Sequence, residues 1–117
     1  MKHLLILAFV LFASSLAFEQ EKEPATGNNL LPGCKASIDA VEGRVVESGK
    51  VFDAAFCLGL VKGVASASSS VCPPKGSDAV QGIRVVVKFM EDHPEKLNIA
   101  EEKLVNMALT QAFPCHH

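Results

Sequence analysis

From Asn28 to Glu42 the apolar positions Leu30, Leu31, Cys34, Ile38 and Val41 recur at spacings of three and four, the period of a helix that buries one face. Pro32 and Gly33 suit that helix when they fall in its first turn, where a missing N–H costs nothing. Gly43 to Gly49 reads as a connector, and Ser48 is placed to cap the next helix. From Lys50 to Ser69 the chain is apolar almost throughout. Ala55, Gly59, Gly63 and Ala67 stand at every fourth position, with Phe52, Phe56, Leu60 and Val64 beside them. The small stripe predicts a second helix that another helix approaches closely. Each mid-helix glycine costs about 1 kcal/mol relative to alanine, so packing is expected in return. Asp53, Lys62 and the serine-rich end place this helix in a soluble core rather than in a membrane.

Val71-Cys72-Pro73-Pro74-Lys75-Gly76 cannot continue a helix and makes a corner. Asp78 then precedes Gln81 by three residues, the spacing of a reciprocal N-cap. Val80, Ile83, Val87 and Met90 form the inner stripe of a third helix, widened by Val86 and Phe89, until His93-Pro94 ends it. The run Val85-Val86-Val87 alone would suit a strand, but the cap and the helical spacing favour a helix. Pro94 suits the start of a fourth helix, whose stripe is Leu97, Ala100, Leu104, Met107, Ala108 and Ala112. With no convincing strand, the pattern predicts an all-α fold, a small bundle of four to five helices stapled by disulfides.

Ahead of the bundle, Met1 to Ala17 has a short basic start, an apolar run from Leu4 to Phe12 and the small-x-small end Ser15-Leu16-Ala17. Residues 1–17 therefore read as a secretory signal peptide, with Phe18 starting the mature chain. As a membrane anchor the run is short and is followed at once by charge. Residues 18–27 mix Glu, Lys, Pro and Gly without an apolar period and read as a flexible arm; residues 28–117 form the folded domain.

Composition narrows the function. The whole chain of 117 residues has 11 basic and 13 acidic side chains. Without residues 1–17 it keeps 10 bases against 13 acids, a net charge of −3 on 100 residues. That balance excludes nucleic acid as a partner, because phosphate neutralisation needs a lysine and arginine excess. Trp and Tyr are absent, which disfavours sugar stacking and aromatic cages.

All four cysteines, Cys34, Cys57, Cys72 and Cys115, lie in the mature part, an even count that reads as two disulfides in an exported chain. Their separations of 23, 15 and 43 residues lack the close pairs a zinc site uses, so no metal or cofactor is expected. Laid up and down, the helices bring Cys72 beside Cys115 at one end. Cys34 and Cys57 then fall about 10 to 12 Å below the other end, at ~1.5 Å per residue. Cys34 with Cys57 and Cys72 with Cys115 is the pairing this predicts; Cys34 with Cys72 stays geometrically open. Catalysis is not expected. The mature chain offers His93, His116 and His117 with no nucleophile motif around any serine, and Cys115-His116-His117 reads as a disulfide cysteine before a frayed end.

The ordered framework resembles the Rap/Tai-type immunity proteins of bacterial type VI secretion. The resemblance runs through Thr26-Gly27-Asn28, Leu30, Leu31 and Cys34, then Phe52, Cys57, Gly59 and Gly63, then Cys72-Pro73-Pro74, Gly76 and Gln81. It continues through Val86 to Phe89, His93-Pro94 and Leu97, and ends in Ala108-Leu109 and Ala112-Phe113-Pro114-Cys115. Ala55 and Leu60 depart from the pattern, where glycine and an aromatic are usual. The resemblance implies a periplasmic helical protein, seen in the family also as a homodimer. It would bind a cognate peptidoglycan amidase effector, block its active site and have no enzymatic activity of its own. A structural or chaperone-like helical protein without a toxin is the other class this chain fits.

An inhibitor fills a cleft best with a protruding corner, and two corners qualify, Pro73 to Ser77 and Glu91 to Asn98. The second carries more polar groups on a bend stiffened by Pro94. Glu91, Asp92, His93, Glu95 and Asn98 are therefore the expected effector-binding residues.

Overall fold

The computed structural model describes residues 22–116; the signal-peptide reading and residues 18–21 of the arm lie outside them. Four helices form: α1 (Gly27–Val41), α2 (Val51–Ala67), α3 (Ala79–Asp92) and α4 (Glu101–Ala112). Short 3-10 turns at Ser48–Lys50 and Pro94–Lys96 precede α2 and follow α3. Among the described residues there is no strand, only the isolated bridges Thr26 to Ala100 and Val71 to Pro114. The core is built from Leu30, Val61, Ile83, Val86, Met90, Leu104, Val105 and Leu109 with the Cys34 to Cys57 bridge.

α1 starts a turn earlier than Pro32 suggested, so that proline sits exposed in the helix interior, where it removes one backbone bond. The early start is fixed from outside the helix. Thr26 N–H donates to Asn29 Oδ1 at 2.9 Å, Gly27 N–H to the Ile99 carbonyl at 3.1 Å and Asn28 N–H to the Leu97 carbonyl at 3.0 Å. In return Glu101 N–H donates to the Ala25 carbonyl at 3.0 Å. The last residues of the segment read as an arm are thus tied to the segment before α4. The same ties account for a departure at the fourth helix. Pro94 opens only a 3-10 turn, Leu97 to Ala100 run as a non-helical link, and α4 begins at Glu101.

The close approach in this fold is made by α1. A Cβ on Gly33 would stand 2.7 Å from the Asp53 carbonyl oxygen, so α1 and α2 meet backbone to backbone. Ser37 Oγ donates to the Ala54 carbonyl, and Cys34 and Cys57, each 0% exposed, are bonded between the same two helices. α2 buries Ala54, Cys57 and Val61. The stripe of Ala55, Gly59, Gly63 and Ala67 is turned to solvent, contrary to the sequence expectation. A side chain built on Gly59 or Gly63 would meet no atom within 4 Å. Gly59→Ala and Gly63→Ala should therefore each raise stability by about 0.5–1 kcal/mol in urea denaturation, because alanine loses less backbone entropy in an open helix position. A loss of stability in either variant would mean that the position is packed.

α3 follows its pattern, burying Ile83, Val86, Val87, Phe89 and Met90, and Asp78 accepts from Gln81 N–H at 2.7 Å as the spacing required. Ser48 makes no side-chain cap for α2, since it lies inside the 3-10 turn. Val41, expected on the buried face of α1, is 56% exposed because the last turn of α1 runs past the core.

The second bridge joins Cys72 to Cys115, and the described residues hold no free cysteine. Cys72 is exposed and Cys115 half-buried, whereas the first bridge is sealed. Dithiothreitol acting on the folded protein should open Cys72–Cys115 first, because thiolate attack needs access. Alkylation and mass mapping should then find label on Cys72 and Cys115, with Cys34 and Cys57 labelled only after denaturation. Simultaneous labelling of all four would contradict this ranking.

Candidate functional site

The corner after α3 is a rigid object. His93 ends the helix and lays its imidazole on Phe89, with ring centroids 4.3 Å apart. Its Nδ1 lies 2.8 Å from the Phe89 carbonyl, which can only accept, so Nδ1 carries the hydrogen. Lys96 N–H then donates to the His93 carbonyl at 2.9 Å, and Ile99 N–H to the Lys96 carbonyl at 3.0 Å.

Of the five residues expected to face a partner, three are engaged within the fold. Glu91 pairs with Lys35 on α1 at 3.4 Å. Asp92 accepts from Lys88 Nζ one turn back at 2.8 Å, and that hydrogen bond holds its carboxyl below the usual carboxylate range. His93 is half-buried against Phe89. Glu95 and Asn98 are exposed, and no side-chain hydrogen bond or ion pair holds them among the described residues. The alternative corner differs: Ser77 Oγ donates back to the Pro74 carbonyl at 2.7 Å and Lys75 is exposed.

A surface the sequence pattern placed inside the bundle lies on α2. Phe52 is 77% exposed and Phe56 42%, with ring centroids 6.5 Å apart. Both rings line an open groove of about 610 Å³, bordered also by Thr26, Asp53 and Glu101. The signal that finds this face is Cys57. A disulfide cysteine of this kind belongs in the core, and Gly59, two residues on, points roughly 200° away on a helix of ~3.6 residues per turn. Through Thr26 and its bridge to Ala100, the groove reaches the end of the corner that carries Asn98.

Among the described residues no three His, Cys, Asp or Glu side chains gather as metal ligands, and no helix is long and apolar enough to cross a membrane. His116 and the two bridged cysteines of the C-terminal end bring no nucleophile and base together. What the molecule offers a partner is surface: an apolar helix face, a groove and two stiff corners.

Comparison with known families gives one match, to the model described as Rap1a immunity proteins, over residues 26–115. No curated protein and no solved structure matches the chain.

Proposed function

Because the chain belongs to the Rap1a immunity protein family, we propose that it neutralises a peptidoglycan amidase delivered by type VI secretion, acting in the periplasm as a stoichiometric inhibitor. The family makes its partner a cognate toxin protein. The observation that carries the finer reading is the extent of the match, which runs from Thr26, where the fold is first tied together, to Cys115, which closes the second bridge. That span takes in the whole scaffold. Two disulfides suit an oxidising compartment outside the cytoplasm. An amidase reaches peptidoglycan there too, so inhibitor and toxin meet only if the leader is used.

The inhibitor works by occupancy. A small helical body held by two bridges loses little conformational freedom on docking, so most of the contact energy is retained as affinity. Glu95 and Asn98 remain available to a cleft, while Glu91, Asp92 and His93 keep the corner in shape. The resemblance further implies self-association, which sedimentation equilibrium of the oxidised protein reads directly.

The test is protection. The full chain and a form lacking residues 1–17 are produced in cells that export one peptidoglycan amidase at a time from a panel. The full chain should preserve growth against at least one amidase and inhibit it at equimolar ratio in solution, and the leaderless form should not protect. Failure against every amidase, or protection by the leaderless form, would sink this reading.

A further inference from the structure

α2 carries apolar residues on every side, yet the fold covers only the side of Ala54, Cys57 and Val61. Along its outer side run Phe52, Ala55, Phe56, Gly59 and Gly63, with Lys62 the cation among them. A surface helix ordinarily presents polar residues there, and an exposed apolar patch with stacked rings marks an interaction site. The glycines let a partner's backbone come close, and the two rings supply rigid contact area.

The groove under Phe52 and Phe56 adds charge. Glu23, Asp53 and Glu101 line it against one cation, Lys22. None of the three carboxylates is ion-paired among the described residues. Glu101 is pushed above the ordinary carboxylate range, first by burial and then by the neighbouring Glu102.

Charge decides the occupant. A second copy laid antiparallel on α2 about Gly59 would bring its own Ser66 to Ser70 over this groove, a stretch without a cation. Laid parallel, it would bring a second set of the same acids. Either arrangement leaves the carboxylates unmatched. A segment that sets lysine or arginine beside apolar side chains satisfies both halves, with its cation between the carboxylates and the faces of Phe52 and Phe56 and its apolar side over the glycines.

We propose that the outer face of α2 and the adjoining groove are the docking surface for the toxin, which meets them with a cationic, apolar segment; this rests on the immunity function proposed for the chain. The corner with Glu95 and Asn98 borders this surface, and the rings of Phe52 and Phe56 are its anchors.

The surface is tested with two probes. In the first arm, oxidised, isotope-labelled chain is titrated with an 18-residue amphipathic helical peptide of leucine and lysine, and with its glutamate analogue. Amide shifts should concentrate at residues 22–26 and 52–63 with the lysine peptide and be absent with the glutamate one. Binding should weaken with salt and fall at least tenfold in the Phe52→Ala, Phe56→Ala double variant. Shifts elsewhere, or equal response to both peptides, would overturn the surface.

In the second arm, the amidase neutralised by the wild-type chain is used. The double variant should lose at least tenfold in affinity with its helical circular dichroism unchanged. Gly59→Leu should lose a similar factor while its urea midpoint rises, a combination that a merely structural role does not produce. Full affinity in both variants would overturn the surface and leave the immunity reading standing. Failure to neutralise any amidase would end that reading, while the peptide arm still decides the surface. Conversion of a dimer to a monomer by the double variant would make a second copy the occupant and overturn the proposal.

Discussion

Replacing Cys34 and Cys57 together by alanine should cost the protein about 4–5 kcal/mol in urea denaturation at neutral pH, a large part of the ~5–15 kcal/mol typical of a domain. Two contributions add. Opening the 23-residue span returns freedom to the unfolded chain, about 3 kcal/mol by loop entropy. Both sulfurs are fully buried between α1 and α2 where the backbones touch at Gly33, so their loss also leaves a void that these rigid neighbours cannot close, about 1–2 kcal/mol more. The contrast with Cys72 and Cys115 gives the prediction its edge. Their 43-residue span is longer, and loop entropy alone would make it the costlier bridge at about 4 kcal/mol. Packing reverses the order, since Cys72 is exposed and fills no core space. A greater loss in the Cys72→Ala, Cys115→Ala protein would show that chain entropy outweighs packing here.

Leu104→Ala is expected to destabilise by about 3–4 kcal/mol, the range for leucine truncation in a sealed core. Leu104 is 0% exposed, and its Cδ1 lies only 2.7 Å from where a side chain on Gly27 would begin, with Leu97 alongside. It therefore clamps the start of α1 against the link before α4. Its removal should be felt first at that seam. Hydrogen exchange at the amides of Gly27 and Asn28, which donate to Ile99 and Leu97, should accelerate before exchange in α3 does. Uniform acceleration throughout the chain would show that the seam opens only with the whole fold.

The elements best foretold by the sequence are those whose determinants are local. α3 has an aspartate cap, a sharp stripe and a proline after its last residue, and it forms from Ala79 to Asp92 as its pattern requires. The cysteine pairing was legible because helix lengths alone set the levels of Cys34 and Cys57 and brought Cys72 to Cys115. The link from Leu97 to Ala100 was not, because it is shaped by hydrogen bonds to Ala25, Gly27 and Asn28, some seventy positions away, while Pro94 locally signals a helix. The outward side of α2 failed for another reason. With apolar residues all round, no period selects a face, and only the buried backbone contact at Gly33 decides which side turns in. Of the expected site residues, Glu91, Asp92 and His93 are held by partners that sequence spacing only partly reveals, Lys35 on another helix being invisible to it.

The two bridges also bear on how the protein is assembled in time. Each joins neighbours in cysteine order, so neither loop encloses the other and each can close alone. In a fully reduced, unfolded chain the 15 residues between Cys57 and Cys72 form a shorter span than the native 23, and ring-closure statistics favour that wrong bond roughly twofold. Such a bond would pull the end of α2 out of line, since Cys57 lies in its second turn and Cys72 beyond its end. A chain delivered amino end first to an oxidant meets a different contest. Cys34 and Cys57 are both present before Cys72 arrives, so direction of travel supplies a choice that equilibrium chain statistics withhold.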